Sequence, residues 1–233
     1  MRKILKIDIK DKNVIKSVMY DGVAKIGNPE DIANKSYGNN VDEIFLSNFT
    51  GTLYGYDNFK KIIENICKKI FLPITVGGGI KSIKDCEIFF SLGADKISMN
   101  SILFEDRSLL KLASKNFGSQ SVTVLIQAKK IEGKWYAFKD MARHNTNFLV
   151  KEWITTCEGE GAGEIIVVSV DDDGLMKGLN FDLYEDCSHS SLPVIIGGGY
   201  CGESDSNKIS TFENFNGFTM STYFYSSVLK NKL

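Results

Sequence analysis

The stretch LPITVGGG at residues 72–79 returns, little changed, as LPVIIGGG at residues 192–199. Each copy is a short apolar run that ends in three glycines, which indicates a buried strand opening onto a tight loop. Successive backbone N–H groups in such loops form concave anion sites, and glycine lets a phosphate approach the backbone closely. The copies lie about half of the 233-residue chain apart. They therefore predict a duplicated architecture with two similar anion sites.

The repeat extends beyond the glycines. Three further pairs of segments resemble each other in the same order and at nearly the same spacing. Chance could supply any one of these pairs, but four matches in one order are hard to dismiss. We predict two halves of four strands each, covering about residues 1–117 and 118–233. The additional pairs are 4–10 with 124–129, 42–46 with 163–167, and 93–101 with 216–222.

Length and composition favour one compact domain over residues 1–233, because no linker-like or low-complexity tract separates the halves. The 28 basic and 29 acidic residues nearly cancel, so we expect neither nucleic acid nor a membrane as a partner. The N-terminus reaches Asp8 too soon for a signal-peptide core, and no apolar run spans a bilayer. The five cysteines are scattered, as reduced thiols would be. We expect a cytoplasmic protein without a cofactor or metal.

Apolar strand-like runs alternate with helix-like stretches along the whole chain. Strands that are apolar on both faces and alternate with helices predict a parallel sheet. Eight such units in this length predict an α/β fold, a single (βα)₈ TIM barrel with a half-barrel internal repeat. The runs are 4–9, 43–48, 73–77, 96–99, 122–127, 164–170, 193–197 and 218–221, and the clearest helical stretches are 57–70, 83–91, 103–116 and 147–158. The final helix must be short.

In such barrels the chemistry lies at the carboxyl ends of the strands. We expect one phosphate site at the third and fourth strand ends and a second across the barrel mouth, at the seventh and eighth. A ligand that bridges them carries phosphate at both ends. The alternative is that these are glycine turns that bind nothing. The candidate phosphate-binding residues are Gly78, Gly79, Asn100 and Ser101 in the first site and Gly198, Gly199, Ser221 and Thr222 in the second, with Gly174 as a further candidate.

Over nearly its full length the chain resembles the cyclase subunit of imidazole glycerol phosphate synthase, a barrel family of histidine biosynthesis. The resemblance implies a barrel that pairs with a glutaminase subunit as a heterodimer, receives ammonia through its core and binds a phosphorylated small molecule with two phosphates. The matching segments are 8–11 with Lys16, 75–80, 93–96 with Asn100, 117–120, 145–146 with Trp153, and 161–164 followed by 171–174.

The resemblance also implies two catalytic aspartates, at the ends of the first and fifth strands, that act as general acid and base. Asp8 matches the first of them, but the second falls on Gln127. An amide cannot take up or release a proton near neutral pH. Since one positioned acid or base contributes about 10²–10⁴-fold in rate, we expect weakened or lost cyclase activity. Asn48 replaces a further aspartate of the family, and Asp171 or Asp173 could supply some of the chemistry.

Four charged positions match the ring that gates the ammonia entrance in this family. They are Arg2, Glu43, Lys96 and Glu164, two positive and two negative. Such a ring at the N-terminal face of a barrel could instead be merely stabilising. The four charged positions are retained although one catalytic carboxylate is lost. This combination suggests that the chain still pairs with a glutaminase but no longer carries out the ring-closing reaction.

Three smaller features of the sequence have two readings each. Lys16 either steadies a phosphate from the first loop or is a solvated loop lysine. The segment 21–28 resembles the mobile first loop of the family but also reads as a surface turn. Trp135, Tyr136 and Phe138 indicate a strand or hairpin after the fifth barrel strand, not a platform for nucleic-acid bases.

The leading hypothesis is a divergent paralogue that conducts ammonia to a separate sugar amidotransferase in surface-polysaccharide synthesis, a destination that rests on the resemblance alone. A second hypothesis is an active cyclase subunit, a lyase of histidine biosynthesis, that uses Asp8 with Asp173 or water in place of the lost aspartate. A third is a non-catalytic activator of a glutaminase.

Overall fold

The computed structural model describes residues 1–51, 56–209, 212 and 216–229. Within them twelve strands and eight α-helices alternate in the order that a (βα)₈ barrel requires. The strands are β1 (Arg2–Lys10), β2 (Asn13–Val18), β3 (Asp21–Gly27), β4 (Glu43–Asn48), β5 (Ile74–Gly77), β6 (Lys96–Met99), β7 (Val122–Ile131), β8 (Lys134–Lys139), β9 (His144–Leu149), β10 (Glu164–Ser169), β11 (Val194–Gly197) and β12 (Gly217–Met220). The helices are α1 (Pro29–Asn34), α2 (Asp57–Cys67), α3 (Ile83–Ser91), α4 (Ser108–Phe117), α5 (Val150–Gly159), α6 (Phe181–Cys187), α7 (Glu203–Ile209) and α8 (Thr222–Leu229).

Eight of these strands close into a parallel barrel. Their order around it is β1, β4, β5, β6, β7, β10, β11 and β12, and β12 pairs again with β1. Every neighbouring pair in this circuit is parallel, so all eight carboxyl ends meet at one face. The predicted fold class is confirmed.

Side chains alternate between the inside of the barrel and the layer beneath the helices. The larger core cluster fills the outer layer and includes Leu5, Ile7 and Ile9 of β1. A smaller cluster fills the interior and includes Ile4, Phe45 and Ile166. Arg2, Lys6 and Asp8 share the parity of Ile4 along β1, which places polar groups at both ends of the interior.

Two antiparallel hairpins extend the barrel at equivalent points of its two halves. Strands β2 and β3 follow β1, and strands β8 and β9 follow β7. The hairpin expected at Trp135, Tyr136 and Phe138 is confirmed as β8. The segment 21–28 is mostly strand β3, so the expectation of a surface turn there was wrong.

Two helices begin later than the sequence predicted, for local reasons. Asp106 accepts a bond from the backbone N of Ser108 (3.0 Å), so a 3₁₀ turn at Ser101–Phe104 precedes α4 instead of continuing into it. Asn147 has φ of 63°, which a right-handed helix excludes, and α5 starts after it. The final helix is short, as expected, with eight residues in α8.

In the described part of the chain, no helix combines the length and the apolar character needed to span a membrane.

Candidate functional site

Two cavities open at the barrel mouth, and the candidate phosphate residues divide between them as expected. The first cavity is lined by Gly78, Gly79, Asn100 and Ser101, together with Asn48 and Gln127. The second cavity is lined by Gly174, Gly198, Gly199, Ser221 and Thr222, together with Lys6 and Asp173. Lys16 lies in β2 and, among the described residues, lines neither of them.

The doubled glycine segment has the same backbone in both halves. Gly78 has φ of 93° and Gly198 has φ of 90°, in the left-handed region that favours glycine. A Cβ at Gly78 would lie 2.3 Å from the backbone O of Asn48, and one at Gly198 would lie 2.2 Å from the backbone O of Ser169. Each loop therefore lies directly against the end of the preceding barrel strand, where only glycine fits.

The two cavities differ greatly in size. The first has a volume of about 280 Å³, whereas the second has about 10 Å³. The second cavity is therefore much narrower than the first in this conformation. The first hairpin lies against it, with the N–H of Met19 donating to the O of Asp173 (2.9 Å).

The turn between β8 and β9 lies along the edge of the first cavity. Gln127 Oε1 accepts a hydrogen bond from the N–H of Ala142 (2.7 Å), and Ser101 Oγ accepts one from the N–H of Asp140 (3.0 Å). Asp140, Met141 and Ala142 all have positive φ, between 55° and 59°. Because such φ values cost L-residues energy, these two bonds help to hold the turn. Gln127 therefore has a structural task in addition to its place at the end of the fifth barrel strand.

The floor of the mouth holds a cluster of buried ionisable groups. Asp8 is 6 % exposed, and both of its carboxylate oxygens lie 2.5 Å from Nζ of Lys6, which is 4 % exposed. The hairpin tip places Tyr20 over the pair, with Lys6 Nζ 5.4 Å from the ring centroid. Burial alone would lower the pKa of Lys6, but Asp8, Tyr20 and Asp173 outweigh it and raise that pKa above its ordinary value.

Asp173 is the second carboxylic acid of this cluster. Its Oδ2 accepts a bond from Ser17 Oγ (3.3 Å). Burial raises the pKa of Asp173 to about 6; the Lys6 ammonium and the Ser17 hydroxyl oppose that rise, and Asp8 adds to it. Asp171 instead accepts a bond from the N–H of Lys130 (3.0 Å) on the exposed side of the loop. Of the two acids left open by the sequence, Asp173 is the one beside Asp8.

The four charged positions of the predicted gate form a closed ring at the opposite face of the barrel. Arg2 Nη1 lies 2.7 Å from Glu43 Oε1, and its Nη2 contacts Glu164. Lys96 Nζ lies 3.4 Å from Glu43 and 3.2 Å from Glu164. Burial lowers the pKa of Arg2, but the bonds to Glu164 and Glu43 outweigh it and raise that pKa. Each cation bridges both carboxylates.

Hydroxyl groups line the barrel between this ring and the mouth. Ser98 and Thr123 are buried at inward positions of β6 and β7. Ser98 lies two residues after Lys96 in β6, and Thr123 lies two residues before Leu125 in β7, so each pair shares a face of its strand. Among the described residues, neither Ser98 Oγ nor Thr123 Oγ1 has a hydrogen-bond partner. The interior therefore carries polar groups at intermediate depth that can bond a small polar molecule.

Sequence reasoning missed Lys6 and Tyr20. Lysine within the apolar run of β1 was a signal for Lys6, because a charged residue inside a barrel strand must find a partner. Tyr20 had no such signal, since it lies at a turn between two strands and reaches the site only through the fold of the hairpin.

The chain matches, over residues 4–230, the family described as histidine biosynthesis protein. The imidazole glycerol phosphate synthase subunit HisF of Legionella pneumophila is 37 % identical over 201 residues, which cover 85 % of this chain and 95 % of that protein. The subunit HisF of Campylobacter concisus (strain 13826) is 37 % identical over 193 residues, covering 83 % and 77 %. That of Bacillus cereus (strain G9842) is 37 % identical over 201 residues, covering 85 % and 79 %. The chain therefore belongs to the histidine biosynthesis protein family and, within it, is similar to the HisF subunits of imidazole glycerol phosphate synthase.

Proposed function

We propose that this chain pairs with a glutaminase subunit, admits ammonia through its barrel and has weak or no ring-closing activity of its own. The observation that carries this proposal is the combination of the closed charge ring at one face with Gln127 at the other.

The charge ring of Arg2, Glu43, Lys96 and Glu164 supports the proposed pairing with a glutaminase subunit. Ion pairs between exposed side chains contribute little to stability, but here four strands contribute one charged residue each and every cation reaches two carboxylates. Such a closed network at the axis of the barrel suits an entrance that opens when a partner rearranges it. The hydroxyls of Ser98 and Thr123 suit the passage of neutral ammonia, which both donates and accepts hydrogen bonds.

The residues at the barrel mouth support the proposal that ring-closing activity is weak or absent. Closing a ring with ammonia requires protons to be given and taken at positioned groups. Gln127 cannot exchange a proton, and its Oε1 is already bonded to the N–H of Ala142. Asp8 has both oxygens on Lys6. The two positions that the family resemblance assigns to acid and base are therefore a neutral amide and a paired carboxylate.

The ammonia then goes to an acceptor outside this barrel. The family resemblance suggests a separate sugar amidotransferase of surface-polysaccharide synthesis, with a phosphorylated small molecule binding the first cavity through Gly78, Gly79, Asn100 and Ser101. The cavity of about 280 Å³ is large enough for a small phosphorylated ligand.

Complementation tests the proposal directly. A histidine-requiring bacterium that lacks its own HisF receives this chain on a plasmid, and the HisF of Bacillus cereus (strain G9842) serves as the positive control. We expect no growth without histidine, although an immunoblot detects the chain. Growth at the rate of the positive control would refute the proposal that this chain has weak or no ring-closing activity.

A second function, an active cyclase subunit, is favoured by one observation. Asp173 is buried close to Asp8, and its pKa of about 6 suits a group that exchanges protons near neutral pH. This alternative predicts growth in the complementation experiment and loss of that growth in Asp173→Asn. A third, a non-catalytic activator, predicts faster glutamine hydrolysis by the partner while no ammonia passes through the barrel.

A further inference from the structure

Lys6 is a buried cation inside the barrel, and it bonds both oxygens of Asp8. It lies on β1 between Ile4 and Asp8 on the inward face and also lines the second cavity. An isolated buried ammonium is unfavourable, so the position of Lys6 depends on its partners.

Those partners come from several elements. Asp8 lies on the same strand, Tyr20 comes from the tip of the first hairpin, and Asp173 comes from the loop after β10. Tyr225 of α8 donates from Oη to the backbone O of Lys6 (3.3 Å). Among the described residues these are the titratable groups that face Lys6, and Asp8 is the one that it bonds.

The geometry of the pair restricts Asp8. A general acid or base needs an oxygen within hydrogen-bond reach of the proton that it moves. Both oxygens of Asp8 lie 2.5 Å from Lys6 Nζ, so the ammonium binds both oxygens at once and fixes the orientation of the carboxylate. Separating a buried pair leaves an uncompensated charge, which is strongly unfavourable. Asp8 is therefore held in place as the counter-ion of Lys6.

We propose that Lys6 is a positioning residue that holds Asp8 in a closed ion pair, and that this pair suppresses proton transfer at the first strand independently of Gln127. The proposal deepens the proposed function, since it gives the barrel two separate obstacles to ring closure. Restoring a carboxylate at the fifth strand alone would then leave the first strand inactive.

Four proteins test this proposal: the wild type, Lys6→Met, Gln127→Asp and the double variant that carries both changes. Methionine keeps most of the length of lysine without its charge. The readout is the formation of imidazole glycerol phosphate from ammonium and the bisphosphate substrate of that synthase, measured from pH 6 to 9. We expect the double variant to exceed Gln127→Asp alone by at least about 100-fold, the low end of what one positioned acid or base contributes. Equal rates in Gln127→Asp and the double variant would overturn the proposal.

A measurement on the wild-type protein covers the case in which a variant fails to fold. Nitrogen NMR of lysine side chains detects ammonium groups whose protons are protected from exchange with water. We expect a strongly protected ammonium at pH 8 that is absent from Lys6→Met and still present in the matched control Lys68→Met, whose partner Glu64 lies on the exposed face of α2. A Lys6 ammonium that exchanges as fast as Lys68 would overturn the ion-pair lock. Neither readout depends on whether the wild type complements the auxotroph, so failure of the proposed function remains distinguishable.

Discussion

At the scale of single residues, the buried ionisable groups at the barrel mouth interact with one another. Asp173 holds its proton more tightly in the folded state, where burial raises its pKa to about 6, than in the unfolded chain. Its contribution to the free energy of unfolding is therefore fully present at low pH and is lost as pH rises through 6. With a usual carboxyl pKa near 3.9, we expect wild type to gain about 1 kcal/mol over Asp173→Asn on going from pH 7 to pH 5.

Urea unfolding of both proteins at the two pH values measures this difference. Groups that do not interact with Asp173 contribute equally to both proteins and cancel in the comparison, whereas its partners Lys6, Asp8 and Tyr20 do not. A difference between them that does not depend on pH would show that Asp173 is already ionised at pH 5.

Residue identities near the mouth could be predicted from the sequence only in part. Asp8, Gln127 and Asp173 follow from the resemblance and from the rule that barrel chemistry lies at strand ends. The spacing of Lys6 and Asp8 puts them on one face of β1, but whether that face lies inside the barrel depends on the register of β1 with β4 and β12. Tyr20 depends on the whole hairpin and has no local signal at all.

At the scale of elements, the doubled glycine segment is the feature that the sequence placed best. We expect Gly78→Ala to be destabilised by about 1–3 kcal/mol, because a left-handed φ is strained for alanine and its Cβ would meet the backbone O of Asn48. The matched control is Gly159→Ala at the end of α5, where a Cβ meets nothing within 4 Å. Alanine there should be neutral or stabilising by up to about 1 kcal/mol.

Thermal or urea unfolding of the two variants checks this pair, and phosphate titration of Gly78→Ala follows the first cavity. Equal stability of the two variants would mean that the loop after β5 adjusts freely.

The helix that the sequence misplaced shows the limit of predicting elements from hydrophobic periodicity. Strand β9 and the left-handed Asn147 together shorten a stretch whose pattern predicts a helix.

At the scale of the whole molecule, the closed ring and the mouth lie at opposite ends of one interior. We expect Lys96→Met to lower the free energy of unfolding by about 1–3 kcal/mol, since two carboxylates lose a charged hydrogen-bond donor. The control Lys68→Met removes an exposed pair and should change stability by less than about 0.5 kcal/mol.

Urea unfolding at low and high salt compares the two lysines. The loss in Lys96→Met should persist at high salt, because the ring carboxylates are largely buried and poorly screened. If both variants match wild type, the ring contributes no more to stability than surface charges do.

The barrel itself was fully predictable from eight alternating units. The ion pairs of the ring were not, because they depend on side-chain positions from four strands.

The fate of the transferred nitrogen distinguishes conduction from ring closure most directly. The chain is combined with the glutaminase subunit proposed as its partner, glutamine labelled with nitrogen-15 in the amide, and the bisphosphate substrate of imidazole glycerol phosphate synthase. The labelled products are quantified by mass spectrometry. We expect the label to leave as ammonia, with incorporation into the imidazole ring at least about 100-fold slower than glutamine hydrolysis. Label that enters the ring as fast as glutamine is hydrolysed would contradict the proposal that this barrel passes ammonia on unreacted.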